Sequence, residues 1–347
     1  MRHPVVTEDL AEIAAADLPF EELKGATVLV TGAAGMLASA LVESLLYLNE
    51  IRSLDIQVLG LVRSERRAEE RFTHYRGRSD LRLVEHDVSE PFIPPGPVHQ
   101  IFHAASHASP HFFGTDPVGT LSPNVFGTRH LLELARARGA GFVFVSSGEI
   151  YGTVSADRVP MAETDYGFVD PIQVRSCYAE SKRMGETLCV AWAAQHGVSA
   201  KIVRPFHTYG PGLSLEDGRV FADFVANVVR GEDLVLKSDG RAIRAYCYLA
   251  DAVRGFLTVM LKGAKAEAYN VGNPHAQVSV AELAERLVAL FPELHLRVLR
   301  SEAPRAAGYL ESPIPSNAPR TEKLEALGWR PKHSIESGFS RTVLSFR

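Results

Sequence analysis

Tyr178 and Lys182 stand four residues apart in a stretch that reads as helix, so both side chains leave the same helix face. An ammonium beside a phenol lowers the phenol's pKa, which would let Tyr178 act as a base near neutral pH. The spacing alone is common by chance. It gains weight from an apolar run at 141–146 that ends in Ser146, Ser147, Gly148 and Glu149. A hydroxyl on Ser147, at the carboxyl end of a strand, is placed to hydrogen-bond the same reacting oxygen as Tyr178.

A second pattern concerns a cofactor. Thr31, Gly32, Gly35 and Ala38 fall between an apolar, β-branched run at 26–31 and an apolar-periodic stretch reaching about residue 48. Glycines at such a junction allow a tight turn and the close approach of a pyrophosphate to a helix N-terminus, so this turn predicts dinucleotide binding. Asp87, after the third strand, suits an acceptor for an adenine amino group and equally suits a surface aspartate. After the second strand the sequence reads Val62-Arg63-Ser64, where an acid for an NAD ribose is expected. Arg63 fits a 2′-phosphate, hence NADP, or a solvated side chain.

The elements that must position these residues alternate. Predicted strands at 26–31, 56–62, 82–85, 100–104 and 141–146 are separated by helices, notably 124–138 and 176–195. That order predicts an α/β fold, a Rossmann doubly wound parallel sheet. Residues 1–24 read as an N-terminal helical extension, with Thr7 as N-cap and the helix lying across the main body. Residues 25–204 read as the dinucleotide-binding domain carrying the catalytic residues. Residues 205–347 read as a smaller, mainly substrate-binding lobe, with short extended segments at 234–237 and 267–271 and the chain free to recross between lobes.

Composition excludes several classes. The 347 residues are 46% hydrophobic and 22% charged with a net charge of −4, an ordinary globular balance that gives no electrostatic reason to expect nucleic acid. Three cysteines are far from a disulfide scaffold and point to a reducing compartment. No apolar run approaches the ~18 residues of a membrane span and no secretory signal is legible, so a cytoplasmic protein without a membrane partner is expected. His103, His107 and His111 match no metal-ligand spacing, and no metal is expected. Cys177 reads as packing.

Taken together, these motifs resemble the extended short-chain dehydrogenase/reductase family of nucleotide-sugar epimerases, dehydratases and decarboxylases. The resemblance runs over roughly 25–347 and includes HisAlaAlaSer (103–106), the Asn124 segment, ArgPro (204–205), TyrGlyProGly (209–212), the stretch 244–251, TyrAsnValGlyAsn (269–273) and LeuGlyTrpArgPro (327–331). The segments 86–91, 106–110, 175–183 and 216–220 look most like those of the decarboxylases acting on UDP-glucuronate. By that resemblance Ser147, Glu149, Tyr178 and Lys182 are catalytic. Gly32, Gly35, Met36, Leu37, Arg63, Asp87, Val88, Ala104, Ala105 and Ser106, with Tyr178 and Lys182, hold the cofactor. Ser109, His207, Tyr209, Arg219 and Arg244 face the substrate, the two arginines meeting its pyrophosphate. His207 stands where such enzymes carry asparagine, and Gly148 where the hexose dehydratases carry aspartate.

The resemblance implies a cycle. Tyr178 takes the proton of a sugar 4-hydroxyl as hydride passes from C4 to the nicotinamide, and the 4-ketone then activates C5. A C5 carboxylate is lost as carbon dioxide; a C5 hydroxymethyl loses water, with Glu149 as base; a rotated ketone gives the 4-epimer. Simple epimerisation needs no carboxylate near C5, and glycine at 148 cannot protonate a leaving hydroxyl. The expected activity is therefore NAD-dependent decarboxylation of UDP-glucuronate to UDP-xylose or a 4-keto-pentose. Dehydration of a nucleotide hexose (the dTDP-glucose 4,6-dehydratase type) is second and 4-epimerisation third. A non-catalytic dinucleotide-binding scaffold would lack the hydroxyl, phenol or ammonium found here. A cofactor that stays bound and is recycled favours NAD over the NADP that Arg63 leaves open. Relatives pair through helices at 124–138 and 176–195, so a homodimer is expected.

Overall fold

In strand β1 (Thr27–Thr31), Val28 and Val30 point to one side and Leu29 to the other, and all three are fully buried. A strand apolar on both faces has to be covered twice. The same alternation recurs in β4 (Gln100–His103) and β5 (Gly141–Val145): Phe102, Val143 and Val145 join the layer of Val28, while Ile101, Phe142 and Phe144 join that of Leu29. With β2 (Gln57–Val62), β3 (Leu81–Glu85), β6 (Ala200–Pro205) and the strand Ala268–Val271 they form one seven-stranded, fully parallel sheet. Its spatial order is β3-β2-β1-β4-β5-β6, then Ala268–Val271 at the far edge. The order reverses direction between β1 and β4, which opens a crevice at their carboxyl ends, where ligands of doubly wound sheets bind. The predicted Rossmann fold is the fold observed. The computed structural model describes residues 2–300 and 314–347.

One face is covered by helix α1 (Pro4–Ala14), helix α2 (Met36–Arg52) and the helix Leu249–Lys262, which bury Ile13, Leu41, Leu45, Val253 and Phe256. The other is covered by the helices Thr128–Arg138 and Ser176–His196, through Leu131, Leu132 and Cys189. After β6 the chain leaves the sheet, returns for Ala268–Val271, and leaves again. Outside the sheet, Ile243–Ala245 pairs antiparallel with Gln277–Ser279 and parallel with Ser316–Asn317. An aromatic cluster of Tyr209, Tyr246, Tyr248, Phe221 and Phe339 packs beside them.

Two local expectations are corrected. The first helix begins at Pro4, not after Thr7: His3 caps it by accepting from the Val5 N–H, and Pro4 fits the first helical position, whose N–H has no intrahelical partner. Thr7 sits inside, its hydroxyl turned back to the His3 carbonyl. The helix expected over 124–138 is preceded by the helix Pro117–Ser122, and Pro123–Gly127 winds as a π turn. Pro123 lacks the N–H that a continuous α-helix would use, and the wider turn accommodates it. Asn124, buried in that turn, donates to the Thr120 carbonyl and to Ser181 Oγ, each at 3.0 Å, and so ties it to the Ser176–His196 helix.

Candidate active site

Thr31, the last residue of β1, fixes the crevice. Its hydroxyl accepts from the backbone N–H of Ala104 (3.2 Å) and Ala105 (3.1 Å) and donates to His103 Nδ1 (2.7 Å). His103 Nε2 then donates to the Pro123 carbonyl at 3.0 Å. Burial pushes the His103 pKa down to about 3, so the ring stays neutral and keeps this tautomer. His103 therefore has a structural task. His107 lies elsewhere, at 2.7 Å from Arg63 Nη1 and against the Phe112 ring.

Gly32 has φ +64°, a left-handed conformation favouring glycine, and a Cβ there would come within 2.8 Å of the Ala105 Cα. The turn thus packs directly on the loop after β4. Gly35 is the N-cap of α2 and no side chain caps that end, so the amide groups of Met36 and Leu37 point toward the crevice mouth. Ser106 lies on the same loop as Ala104 and Ala105, and its hydroxyl is buried without a hydrogen-bond partner among the described residues. An open helix N-terminus beside an orphaned hydroxyl fits the pyrophosphate and ribose of a dinucleotide. Asp87 is exposed and accepts from the Ser89 N–H, whereas Val88 is buried against Gly127.

Tyr178 and Lys182 are both buried on the inner face of the Ser176–His196 helix. That helix lies close on β5 because Gly185 has no side chain: a Cβ there would sit 2.3 Å from the Phe144 ring. Lys182 Nζ donates to the Val145 carbonyl at 2.6 Å and sits 4.9 Å from the centre of the Phe144 ring. Tyr178 stacks on Phe113 with ring centroids 4.8 Å apart. Burial pushes the Tyr178 phenol up to about 12, although Ser147 and the charge of Arg219 pull it down. Lys182 is pushed down to about 7, again by burial. The expected lowering of the phenol by Lys182 is therefore not what the chain alone produces: desolvation outweighs charge when both groups are this deeply placed.

The Lys182 shift makes a prediction. A lysine whose folded pKa is below its unfolded 10.5 binds fewer protons folded than unfolded between about pH 7 and 10.5, so its penalty on stability shrinks as pH rises through that window. We expect the melting temperature of the wild-type protein, relative to Lys182→Met, to rise from pH 7 to pH 10. A difference independent of pH would mean that Lys182 is not desolvated.

The two serines divide by strand alternation. Ser146 turns into the body and donates to Glu186, which pairs with Arg204 (2.6 Å); Ser147 turns toward Tyr178 and caps the turn Gly148–Tyr151 by accepting from the Glu149 N–H at 3.1 Å. Glu149 is neither solvated nor buried alone: its Oε2 accepts from Arg175 Nη1 at 3.0 Å, with both side chains mostly covered. Arg183 anchors the turn from the helix by donating to the Ile150 carbonyl at 2.8 Å. At Gly148, a Cβ would lie 3.0 Å from the Phe206 ring and 3.2 Å from Asn317 Oδ1, so the space beside it is already filled.

The residues expected to face the substrate divide. Ser109 Oγ donates to the Asp217 carbonyl at 2.7 Å, drawing the loop after β4 to the loop that carries Arg219. Arg219 bonds Asp217 Oδ2 at 2.8 Å, and Arg244 donates to the carbonyls of Ile243 (2.8 Å) and Ile314 (3.0 Å). His207 is only partly buried, but its Nδ1 is buried with no partner among the described residues, and desolvation with the charges of Arg244 and Arg219 pushes its pKa well down. The Tyr246 hydroxyl is likewise unpartnered, its ring edge-on to His207. These two orphaned groups and two arginines form one polar wall. Tyr209 is corrected: it stacks on Phe339 with centroids 3.8 Å apart inside the aromatic cluster, so it supports the wall from behind and does not face a substrate.

Arg175, Phe113, Glu186 and Asn317 were not singled out from the sequence. Arg175 carried a usable signal, since it lies three residues before Tyr178 and shares its helix face. Phe113, in the short helix Pro110–Thr115, and Asn317, in the short strand Ser316–Asn317, arrive from segments distant in sequence whose approach no local pattern announces.

The model of the NAD dependent epimerase/dehydratase family matches residues 28–272. UDP-glucuronic acid decarboxylase 6 of Arabidopsis thaliana is 35% identical over 92% of this chain and 88% of its own length. Among solved structures, the UDP-glucose 4-epimerase of Thermotoga maritima, solved with UDP-glucose, is 25% identical, with a TM-score of 0.76 over 92% of this chain and 98% of that one. The dTDP-glucose 4,6-dehydratase of Streptomyces venezuelae, solved with NAD bound, is also 25% identical, with a TM-score of 0.75 over 92% and 97%.

Proposed function

This chain belongs to the NAD dependent epimerase/dehydratase family and is an NAD-dependent nucleotide-sugar enzyme, and we propose that its reaction is the decarboxylation of UDP-glucuronate through a transient 4-keto sugar. We assign residues 25–204 to cofactor binding and catalysis and 205–347 mainly to the substrate. NAD, held by the open N-terminus of α2 and the loop carrying Ser106, would supply a reversible hydride acceptor for C4. Tyr178 takes the C4 hydroxyl proton, Ser147 holds that oxygen, and Lys182 keeps a cation beneath the phenol. Once C4 is a ketone, the substrate is a β-keto acid: its C5–C6 bond breaks, carbon dioxide leaves, and the electron pair enters the C4 enolate. A proton then returns to C5.

The observation that carries this reading over dehydration is the packing at Gly148. A leaving hydroxyl needs a proton donor; Gly148 has no side chain to supply one, and a Cβ there would already press on the Phe206 ring and Asn317 Oδ1. Glu149, held by Arg175, supports a reaction at C5 and not simple epimerisation at C4, which has no use for a carboxylate there. The test is mass spectrometry of the products from UDP-glucuronate and, separately, from UDP-, dTDP- and GDP-hexoses. Loss of carbon dioxide from the uronate is expected. Loss of water from a hexose, or an unchanged mass with altered chromatography, would replace the reading by dehydration or epimerisation.

The free state of Cys177, Cys189 and Cys247 supports a reducing, cytoplasmic setting, and among the described residues no helix is long and apolar enough to cross a membrane. We also propose a homodimer. Val118, Phe126, Met184 and Val190 are exposed on the Pro117–Arg138 region and the Ser176–His196 helix, an apolar surface that water alone covers poorly. Light scattering is expected to give twice the chain mass, and Phe126→Glu with Met184→Glu to give the monomer; a monomeric wild type would end the proposal.

A further inference from the structure

We infer that the chain carries a second binding site, away from the crevice, for a small zwitterion of the amino-acid class with an apolar side chain. The ligand's ammonium meets Glu43 and its carboxylate meets Arg71. The site is a cavity of about 250 Å³ between α1, α2, the helix Leu249–Lys262 and the pair Ser345 and Phe346. Its wall includes none of the residues placed in the crevice. α1, which supplies Val6, Leu10 and Ile13, precedes residues 28–272, the part matched by the family model. The inference is independent of the decarboxylase reading.

Of the acids and arginines along the wall, Arg2 and Asp9 are already matched. Arg2 donates to the Tyr75 hydroxyl (3.0 Å) and to Glu50 (2.8 Å), and Asp9 accepts from the Tyr248 hydroxyl and from Arg341, each at 2.6 Å. Glu43 and Arg71 are not. Glu43 makes no hydrogen bond and no ion pair among the described residues, although desolvation is the largest influence on its carboxyl and drives the pKa up. Arg71 spends Nε and Nη2 on a single neutral acceptor, the Ser39 hydroxyl, at 3.0 and 2.7 Å, and has no carboxylate partner among the described residues. A covered charge without a partner is costly, and native proteins rarely keep one that nothing completes. Here two of opposite sign border one cavity.

The fold holds these charges apart at a usable distance. Ser39 and Glu43 are four residues apart on α2, so they share a face and stand about 6 Å apart along the axis. Arg71, at the end of the helix Glu65–Arg71, is fixed at the level of Ser39. Gly212 packs on its other side, where a Cβ would come within 2.1 Å of Nη2. The guanidinium thus sits about one turn before the carboxylate, and its charge reaches Glu43 without closing to an ion pair. In an α-amino acid the nitrogen and the carboxylate oxygens are about 3 Å apart. One hydrogen bond of about 2.9 Å at each end lets such a molecule span a gap of this size.

The rest of the wall narrows the class. Val6, Leu10, Ala40, Leu249 and Phe346 make it apolar, so an aliphatic or aromatic side chain gains there what a fully polar solute does not. A lone cation or a lone anion would satisfy one charge and strand the other. A nucleotide fails on charge, because Glu43 repels its phosphates, and on size, because pockets for drug-sized ligands run to about 300–1,000 Å³. The cavity also backs onto the crevice. Ser39 lies in the first turn of the helix whose N-terminus faces the cofactor, and Pro211 and Gly212 continue the loop that carries His207.

The experiment titrates the NAD-loaded wild-type protein with leucine, isoleucine, methionine and phenylalanine by calorimetry and follows the melting temperature at saturating ligand. Binding that raises the melting temperature is expected for at least one of them. Two analogues of leucine separate its charges: 4-methylpentanoate lacks the ammonium and 3-methylbutylamine lacks the carboxylate. Each is expected to bind at least about tenfold more weakly than leucine, since each gives up a charged hydrogen bond. Glu43→Gln is expected to weaken amino-acid binding about 10- to 100-fold on the same ground and to leave NAD binding unchanged. The analogues decide the matter even if that variant does not fold. Amine binding as tight as that of leucine would reduce the cavity to a cation site, and equally tight binding of 4-methylpentanoate would reduce it to an anion site. Either result overturns the inference, as do full affinity in Glu43→Gln and the absence of both heat and thermal shift with all four amino acids.

Discussion

Replacing Tyr178 by Phe is expected to lower turnover about a hundred- to ten-thousandfold, the span typical of losing a positioned acid–base group. The phenol lies against Ser147, whose hydrogen bond pulls its pKa down, and Phe keeps the ring that stacks on Phe113. Folding and NAD binding should therefore survive. Steady-state rates, the melting temperature and NAD titration measured on one preparation check all three. A variant that turns over at the wild-type rate would remove Tyr178 from the chemistry. A variant that lost NAD binding as well would mean that the ring, not the hydroxyl, is what matters.

The second large effect is on stability. Arg204, at the end of β6, is buried and donates to both carboxylate oxygens of Glu186 (2.9 and 2.6 Å), to the Tyr151 hydroxyl (2.8 Å) and to the Glu163 carbonyl (2.8 Å). Glu186 also accepts from Ser146, so this one guanidinium joins β5, β6, the Ser176–His196 helix and the turn behind Glu149. Removing one member of a buried pair leaves the other charge uncompensated, which costs about 3–5 kcal/mol. Arg204→Leu should therefore lower stability by about that amount in denaturant titration, and Arg204→Leu with Glu186→Leu by less than Arg204→Leu alone, because no charge is then stranded. A double variant as unstable as the sum of the singles would show that the pair is not coupled.

The sheet was legible because its signal is local. Short, β-branched runs apolar on both faces and alternating with helices fit buried parallel strands, and β1, β2, β4 and β5 fall within a residue or so of where that pattern places them. The glycine turn, Tyr178 and Lys182 were legible for the same reason, since a turn and an i, i+4 spacing are properties of a few consecutive residues. The start of α1 was misread because an acid-rich N-cap pattern at Thr7 competes with His3 and Pro4, and the proline position wins. Tyr209 was misread because a motif says which residue stands in a loop and not which way its ring turns. The fold directs that ring onto Phe339 from a helix near the end of the chain.

By itself, then, the order of residues determined a doubly wound sheet, a dinucleotide turn and a phenol–ammonium pair, each set by chain geometry over a few residues. Tertiary structure alone decided the environment of those groups. Burial moves Tyr178 and Lys182 in opposite directions, Phe206 and Asn317 fill the space beside Gly148, and Arg175 closes on Glu149 with one edge left open. Those effects depend on desolvation and on contacts between residues far apart in sequence, and neither exists until the chain has folded.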